Sequence, residues 1–402
     1  MFRSTLLFTL LFPSLASLAL ADPQMNLPPG PSEEEAPTSY TLNSLVGAGR
    51  RLGIGGYGEA EAILDGDDKQ VKLRRFVLFA GYRFTDWARL YSEIEVENGN
   101  VIEIEQAYLE LEPRRWLGFR AGLMVVPVGL HNLYHEPPTF NQVERPLTDQ
   151  LVIPSTWREL GVGIYGSPVE GLHYQLYAMS GLDADKFQAD APLVGGRGNG
   201  QAAHLNDAAI SGRVNYNRVL GLDVAVGFYY GGAGQDVKEL GGVRVGILEA
   251  DLRFKRWGLD ARAEYARVFI TGAARLTNYQ RETNPTFAAI PKAAEGFYAE
   301  VGYNALHLWR KTTHELEPYL AYEYVNVHAE GSTGILDPGA DAAKHYLHLG
   351  LAYHPHPQIV FKFDYQRKLA DATPGPSAIV MGQPAAPVTG QDVVAFGLGF
   401  MF

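Results

Sequence analysis

From about residue 53 to Phe402 the chain alternates, with large apolar side chains at every second position and small or polar ones between them. The last nine residues show the pattern most clearly. Val394, Phe396, Leu398, Phe400 and Phe402 are large and apolar, while Ala395, Gly397, Gly399 and Met401 fill the intervening positions. A period of two is the signature of a strand with one greasy face. The spacing predicts about sixteen such strands, near 53–63, 71–84, 87–97, 101–112, 116–126, 160–166, 172–180, 208–217, 221–230, 243–254, 257–268, 296–304, 315–327, 345–354, 358–368 and 391–402. Strand 101–112 changes phase near Gln106, which predicts a bulge there.

The links between strands are asymmetric. Every second one is short, as at Thr85-Asp86, Pro113 to Arg115, Lys255-Arg256 and Pro355 to Pro357, whereas 127–159, 181–207, 269–295 and 369–390 are long. Short turns at one end and long loops at the other, on an even number of strands, describe an all-β transmembrane barrel occupying 51–402. Trp87, Trp116 and Trp257 directly follow short turns and Trp309 lies within one, as an interfacial aromatic belt requires. The apolar face of strand 391–402 would then meet lipid. Phe402, Phe400, Leu398 and Phe396 read as the membrane-insertion signature.

The N-terminal segment fits the same destination. Arg3, an apolar run from Leu6 to Leu20 and the small-x-small Ala19-Leu20-Ala21 read as a signal peptide cleaved after Ala21. Pro13 and the short run disfavour a membrane anchor. Residues 22–50, rich in Pro, Glu and Ser, read as a disordered periplasmic leader. Localisation to a Gram-negative outer membrane, among outer-membrane lipids, follows as the expectation.

Charge narrows the partners. The net charge is −11, and −12 without residues 1–21, whose one charged residue is Arg3. An acidic chain is a poor partner for nucleic acid. Cysteine is absent, which removes disulfides, thiol catalysis and cysteine metal sites. Mean hydropathy of −0.11 is compatible with a barrel, because lipid-facing and inward residues average out.

Placing the apolar face outward turns many charges inward: Arg89, Glu93, Glu95, Glu97, Arg120, Arg213, Asp223, Glu249, Asp251, Arg253, Arg262, Glu264, Glu300, Glu317, Glu323, Lys362 and Asp364. An interior of this kind, in a barrel of about sixteen strands, is expected to hold water. Loop 127–159 is the candidate constriction. Its prolines stiffen it, and Phe140, Val143, Leu147, Ile153 and Trp157 are too apolar for a free loop, so it is expected to fold inward. Arg145, Arg158, His131, His135, Glu136 and Glu144 would then stand at the narrow point, either touching solute or pinning the loop by salt bridges. His131 and His135 show no third ligand in sequence, so no metal and no cofactor is expected.

The segment Gly122 to Gly129, with Glu144-Arg145 and Arg158-Glu159-Leu160-Gly161-Val162, resembles the phosphate-selective porin family, the porin O and P group. Leu73-Arg74-Arg75, Asp86-Trp87, Gln106 to Glu110 and Leu351 to Pro355 leading into Phe361 to Tyr365 extend the likeness over roughly 53–402. The resemblance implies a 16-stranded porin, a homotrimer, with the third long loop folded into the channel. The lysine cluster and arginine ladder of that group are not matched, since inward carboxylates outnumber Arg89, Arg120, Arg213, Arg253 and Arg262. Passive diffusion of small solutes or ions, phosphate or other anions among them, is the expected activity. The alternative is an outer-membrane barrel enzyme of lipase or protease type. That would need Ser, His and an orienting carboxylate or amide at one rim, and no nucleophile motif is evident in the sequence.

Overall fold

A computed structural model describes residues 51–201, 205–309, 312–331, 343–369 and 392–402. The expected signal peptide 1–21 and leader 22–50 lie outside the described residues.

Among the described residues sixteen strands close into one antiparallel barrel, each paired with its neighbours in sequence. They are β1 (Leu52–Asp65), β2 (Asp68–Thr85), β3 (Ala88–Glu97), β4 (Val101–Arg114), β5 (Leu117–Val125), β6 (Arg158–Val169), β7 (Leu172–Ser180) and β8 (Ala208–Tyr216). The second half comprises β9 (Leu222–Gly232), β10 (Arg244–Arg256), β11 (Leu259–Thr271), β12 (Ala293–Tyr303), β13 (Glu315–Glu330), β14 (Lys344–His356), β15 (Ile359–Leu369) and β16 (Asp392–Met401). All of the strands expected from the alternation are present, and most extend a few residues beyond the expected ends. No helix among the described residues is long and apolar enough to cross a membrane.

β16 closes the sheet on β1, with Leu398 opposite Ala60 and Phe400 opposite Gly58. Phe396, Leu398 and Phe402 are exposed on the outer face, while Ala395 and Gly399 between them are buried. The same division holds on β3, where Leu90 and Ile94 are exposed and Glu93 and Glu95 are buried. Trp87, Trp116, Trp257 and Trp309, beside or within short links, are all more than half exposed, and Trp157 is fully buried. Leu123, which the alternation that turns Arg120 inward would set on the outer face, is instead buried, and Gly200 of the 181–207 loop packs over it.

Two bulges re-aim side chains toward the interior. On β4 the register moves from Glu93↔Gln106 to Ile94↔Ile104, leaving Glu105 as the extra residue. On β2 it moves from Glu59↔Arg75 to Ala60↔Leu73, leaving Arg74 extra. A bulge bends the strand and redirects one side chain. Here it buries Glu105 fully and brings Arg74 and Arg75, consecutive in sequence, both to inward carboxylates.

Candidate functional site

The long link between β5 and β6 lies inside the barrel. It contains a short helix α1 (Leu130–Leu133), a 3-10 turn at Pro137–Thr139 and a π-helical turn at Thr148–Val152. Val128, Leu130, Phe140, Val143, Val152, Ile153 and Trp157 are buried, which supplies the apolar drive for inward folding. Asn132 braces the loop on itself. Its amide donates to the Val126 carbonyl at 2.8 Å, and its side-chain oxygen accepts from the Trp157 N–H at 2.7 Å.

The loop reaches the wall in many directions. Asn141 Nδ2 donates to Glu300 at 3.0 Å and Glu317 at 2.8 Å. Glu323 accepts from Gln142 and from the Leu147 N–H. Lys362 donates to the Gln142 carbonyl at 2.8 Å and stands over the Phe140 ring, while Arg262 donates to the Thr139 carbonyl. Pro137 packs so closely on β16 that a Cβ at Gly399 would lie 2.4 Å from it. His135 Nε2 is 3.0 Å from Glu105 of β4.

These contacts make the interior at loop level packed rather than open. Glu264, Glu317 and Glu323 are each 1 % exposed, and Glu93, Glu300 and Arg120 only slightly more. Carboxylates facing a wide water-filled lumen would be far more accessible. One cavity, of about 50 Å³, lies between loop residues Glu144, Arg145, Leu147 and Gln150 and the wall at Glu323, His348, Asp364 and Gln366.

Each residue singled out from the sequence has a definite place. Arg89 contacts Glu110 at 3.4 Å and Glu112 at 3.3 Å. Arg120 bridges Glu110 and the Tyr177 hydroxyl, and Arg213 bridges Glu249 and Asp251. Arg253 pairs with Asp223 and stacks over Tyr134, and Arg262 contacts Asp260 and Glu300. Glu93 accepts from Tyr91 and Gln106. Arg158 is buried against Glu103. Glu144 contacts Arg74 at 3.1 Å, and Glu136, half-buried, starts the 3-10 turn next to His135.

Among the buried arginines described, Arg145 alone has no carboxylate within ion-pair distance. It is buried, and its Nε and one terminal nitrogen have no hydrogen-bond acceptor among the described residues. Burial, and then the neighbouring Arg75 and Arg74, push its guanidinium down to about 10. His135 moves the other way. Burial opposes its charge, but the Glu105 carboxylate more than offsets this and raises it to about 9. Burial pulls His131 down despite its contact with Asp149.

Sequence reading found no third ligand for either histidine. The structure supplies neighbours from distant strands: Glu93 and Glu105 for His135, and Asp149 with Glu264 for His131. Glu105 was hidden by the bulge, and Asp149 was one acid among many in the loop.

The set a hydrolase would need also has a counterpart. Ser167 Oγ lies 2.7 Å from His173 Nδ1, and His173 Nε2 lies 3.3 Å from the Asn217 oxygen, at the end of the barrel with short links. Two features count against nucleophilic use. Ser167 faces Nδ1 where serine hydrolases use Nε2. The next residue is Pro168, which has no N–H to offer an oxyanion. The trio fits a clamp joining two short turns.

The barrel is similar to solved bacterial outer-membrane structures. OmpF of Salmonella typhi, in complex with daunomycin, superposes with a TM-score of 0.60 at 13% identity, over 87% of this chain and 97% of that one. The anion-selective porin from Comamonas acidovorans gives 0.51 at 11% identity, over 87% and 99%. OprB of Pseudomonas putida gives 0.51 at 11% identity, over 88% and 94%. At such identities the likeness is one of fold. No family model matches the sequence. An uncharacterized protein of Aquifex aeolicus (strain VF5) is 33% identical over 334 residues, covering 79% of this chain and 76% of that one, and the chain belongs to one family with it.

Proposed function

We propose that this protein is a non-enzymatic outer-membrane channel of the porin type. It would pass small hydrophilic solutes or ions by diffusion, with the β5–β6 loop as its constriction. The observation that carries this reading is the inward-folded loop, held by wall carboxylates inside a closed barrel whose outer face is apolar. Outer-membrane porins share the fold, which supports placement in a Gram-negative outer membrane and assembly as a homotrimer.

The passage is assigned to the gap between Glu144–Gln150 and the β13–β16 wall, the cavity described above. Its narrowness makes conduction depend on displacement of the loop there. Among the described residues sixteen buried Asp and Glu face seven buried Arg and Lys, which favours cations overall. Arg145, which has no carboxylate partner, is a local exception that would attract anions at the narrow point, and the resemblance to phosphate-selective porins bears on that spot alone.

Two bilayer measurements test the proposal. The first is the reversal potential under a KCl gradient, repeated with phosphate added. Cation preference without phosphate block assigns selectivity to the acidic wall, and anion preference with block assigns it to the arginines. The second uses the absence of native cysteine. A charged methanethiosulfonate should reduce the current of Gln150→Cys, and an unaffected current would move the path elsewhere.

A further inference from the structure

His131, Asp149 and Glu264 form a buried group that the channel reading does not use. One ligand-type atom from each lies within 4.8 Å of the others. Asp149 and Glu264 are 0 % and 1 % exposed. His131 Nδ1 is 3.1 Å from Asp149 Oδ2 and 3.0 Å from the Tyr298 hydroxyl. The Leu130 N–H donates to Glu264 Oε2 at 3.2 Å. The remaining oxygens, Asp149 Oδ1 and Glu264 Oε1, are buried with no hydrogen-bond donor among the described residues.

The surrounding charge does not relieve them. Glu249 and Asp251 stand on the same wall, and Arg213 is committed to both. Arg262 is committed to Asp260 and Glu300. A single shared proton would cancel one of the two carboxylate charges, and the other would be met only by charging the buried His131 beside Asp149. Buried charges of this kind are paired or coordinate metals.

We propose that His131, Asp149 and Glu264 bind a divalent transition-metal ion that latches the interior loop to β11. One imidazole with two carboxylates suits Zn²⁺ or a similar borderline ion better than Ca²⁺, which takes oxygen ligands. The contacts have the right scale. Two ligand atoms each about 2.0 Å from a tetrahedral ion stand roughly 3.3 Å apart, close to the 3.1 Å between His131 Nδ1 and Asp149 Oδ2. The Tyr298 hydroxyl, 3.0 Å from the same Nδ1, is placed to complete the set. His131 and Asp149 come from the loop and Glu264 from the wall, so the ion would join them.

The neighbouring Glu93, Glu105 and His135 group is less suited to an ion. Glu93 already accepts from Tyr91 and Gln106, and Glu105 from Tyr57. His135 Nε2 faces Glu105 directly. That group therefore serves as the control.

The test uses the full chain as a folded barrel in detergent, stripped with a chelator and titrated with Zn²⁺ against a chromophoric competitor. One equivalent should bind. Asp149→Asn and Glu264→Gln should each weaken it at least about tenfold, with Glu105→Gln unchanged. Absence of saturable Zn²⁺ binding overturns the proposal, as does binding insensitive to Glu264→Gln or lost in Glu105→Gln. Heat-modifiable migration on gels reports whether each variant folds. If both ligand variants misfold, the wild type still decides: Zn²⁺ must raise its unfolding temperature, and no rise overturns the latch.

Discussion

Phe402 and Gly56 exchange both backbone hydrogen bonds, the Phe402 N–H to the Gly56 carbonyl at 2.9 Å and the Gly56 N–H to the Phe402 carbonyl at 3.0 Å. The barrel thus closes on the residue just beyond β16, and its closure depends on a glycine opposite. A Cβ at Gly56 would lie 2.4 Å from the Val77 carbonyl oxygen and 2.8 Å from the Phe402 ring, and one at Gly58 would lie 2.5 Å from the Phe400 ring. The two aromatic rings lie across bare backbone.

Gly56→Val is therefore expected to force β16 away from β1 and to lower the yield of folded barrel several-fold. Deleting Phe402 should do the same by removing the exchanged pair. Heat-modifiable migration and protease resistance of membrane fractions measure both. Normal yields from either variant would show that closure is set elsewhere in the β1–β16 ladder.

The two arginines singled out in the loop region should behave differently. Arg145 is buried near Arg74 and Arg75 with free donors, so Arg145→Glu can pair with those neighbours and remain folded. Its reversal potential should shift toward cations, by roughly several-fold in permeability ratio. Arg158 is buried and committed to the partly exposed Glu103, and Arg158→Glu would set a buried carboxylate against another. Removing the buried cation and adding a carboxylate in its place turns attraction into repulsion, so the expected result is loss of folded protein. Equal selectivity shifts in two well-folded variants would contradict this division.

The period-2 pattern carried the whole strand order because an apolar outer face and a charged inner one leave no choice of face. It also located the phase change on β4 to within one residue, at Glu105. What it could not carry was where the interior loop's polar groups end up. Asn141 and Glu317 are bonded across 176 residues, and Leu130 and Glu264 across 134. Nothing in the local spacing of either partner records the other. The same long-range packing explains why the lumen, read as water-filled from its charges, is filled at loop level by side chains.

The His135–Glu105 contact should make the loop alkali-sensitive. His135 is raised from an ordinary value near 6.5 to about 9. A group whose folded value lies above its unfolded one stabilises fully below the unfolded value and loses that contribution as pH rises through the folded one. The contact should therefore hold fully to about pH 6.5 and weaken progressively to about pH 9. Open-channel current recorded from pH 6 to 10 should rise in the upper half of that range. Glu105→Gln should abolish the step, and a step that persists in that variant would assign it to another group.

Asn141 makes the sharpest test of the loop as the obstruction. It gives one hydrogen from the same amide nitrogen to each of two buried carboxylates, Glu300 and Glu317. Asn141→Leu keeps the bulk and removes both donors. Leaving a buried acceptor unmet costs about 1–3 kcal/mol, and here two acceptors are affected. Arg262 still neutralises Glu300, so the loss should fall on the loop more than on the barrel. The variant should keep its heat-modifiable migration while its conductance and current noise increase. Double substitution with Glu317→Leu should recover part of the loss, because the unmet acceptor is then gone. A folded Asn141→Leu barrel with wild-type conductance would mean that the loop segment from Thr139 to Val143 does not lie on the conducting path.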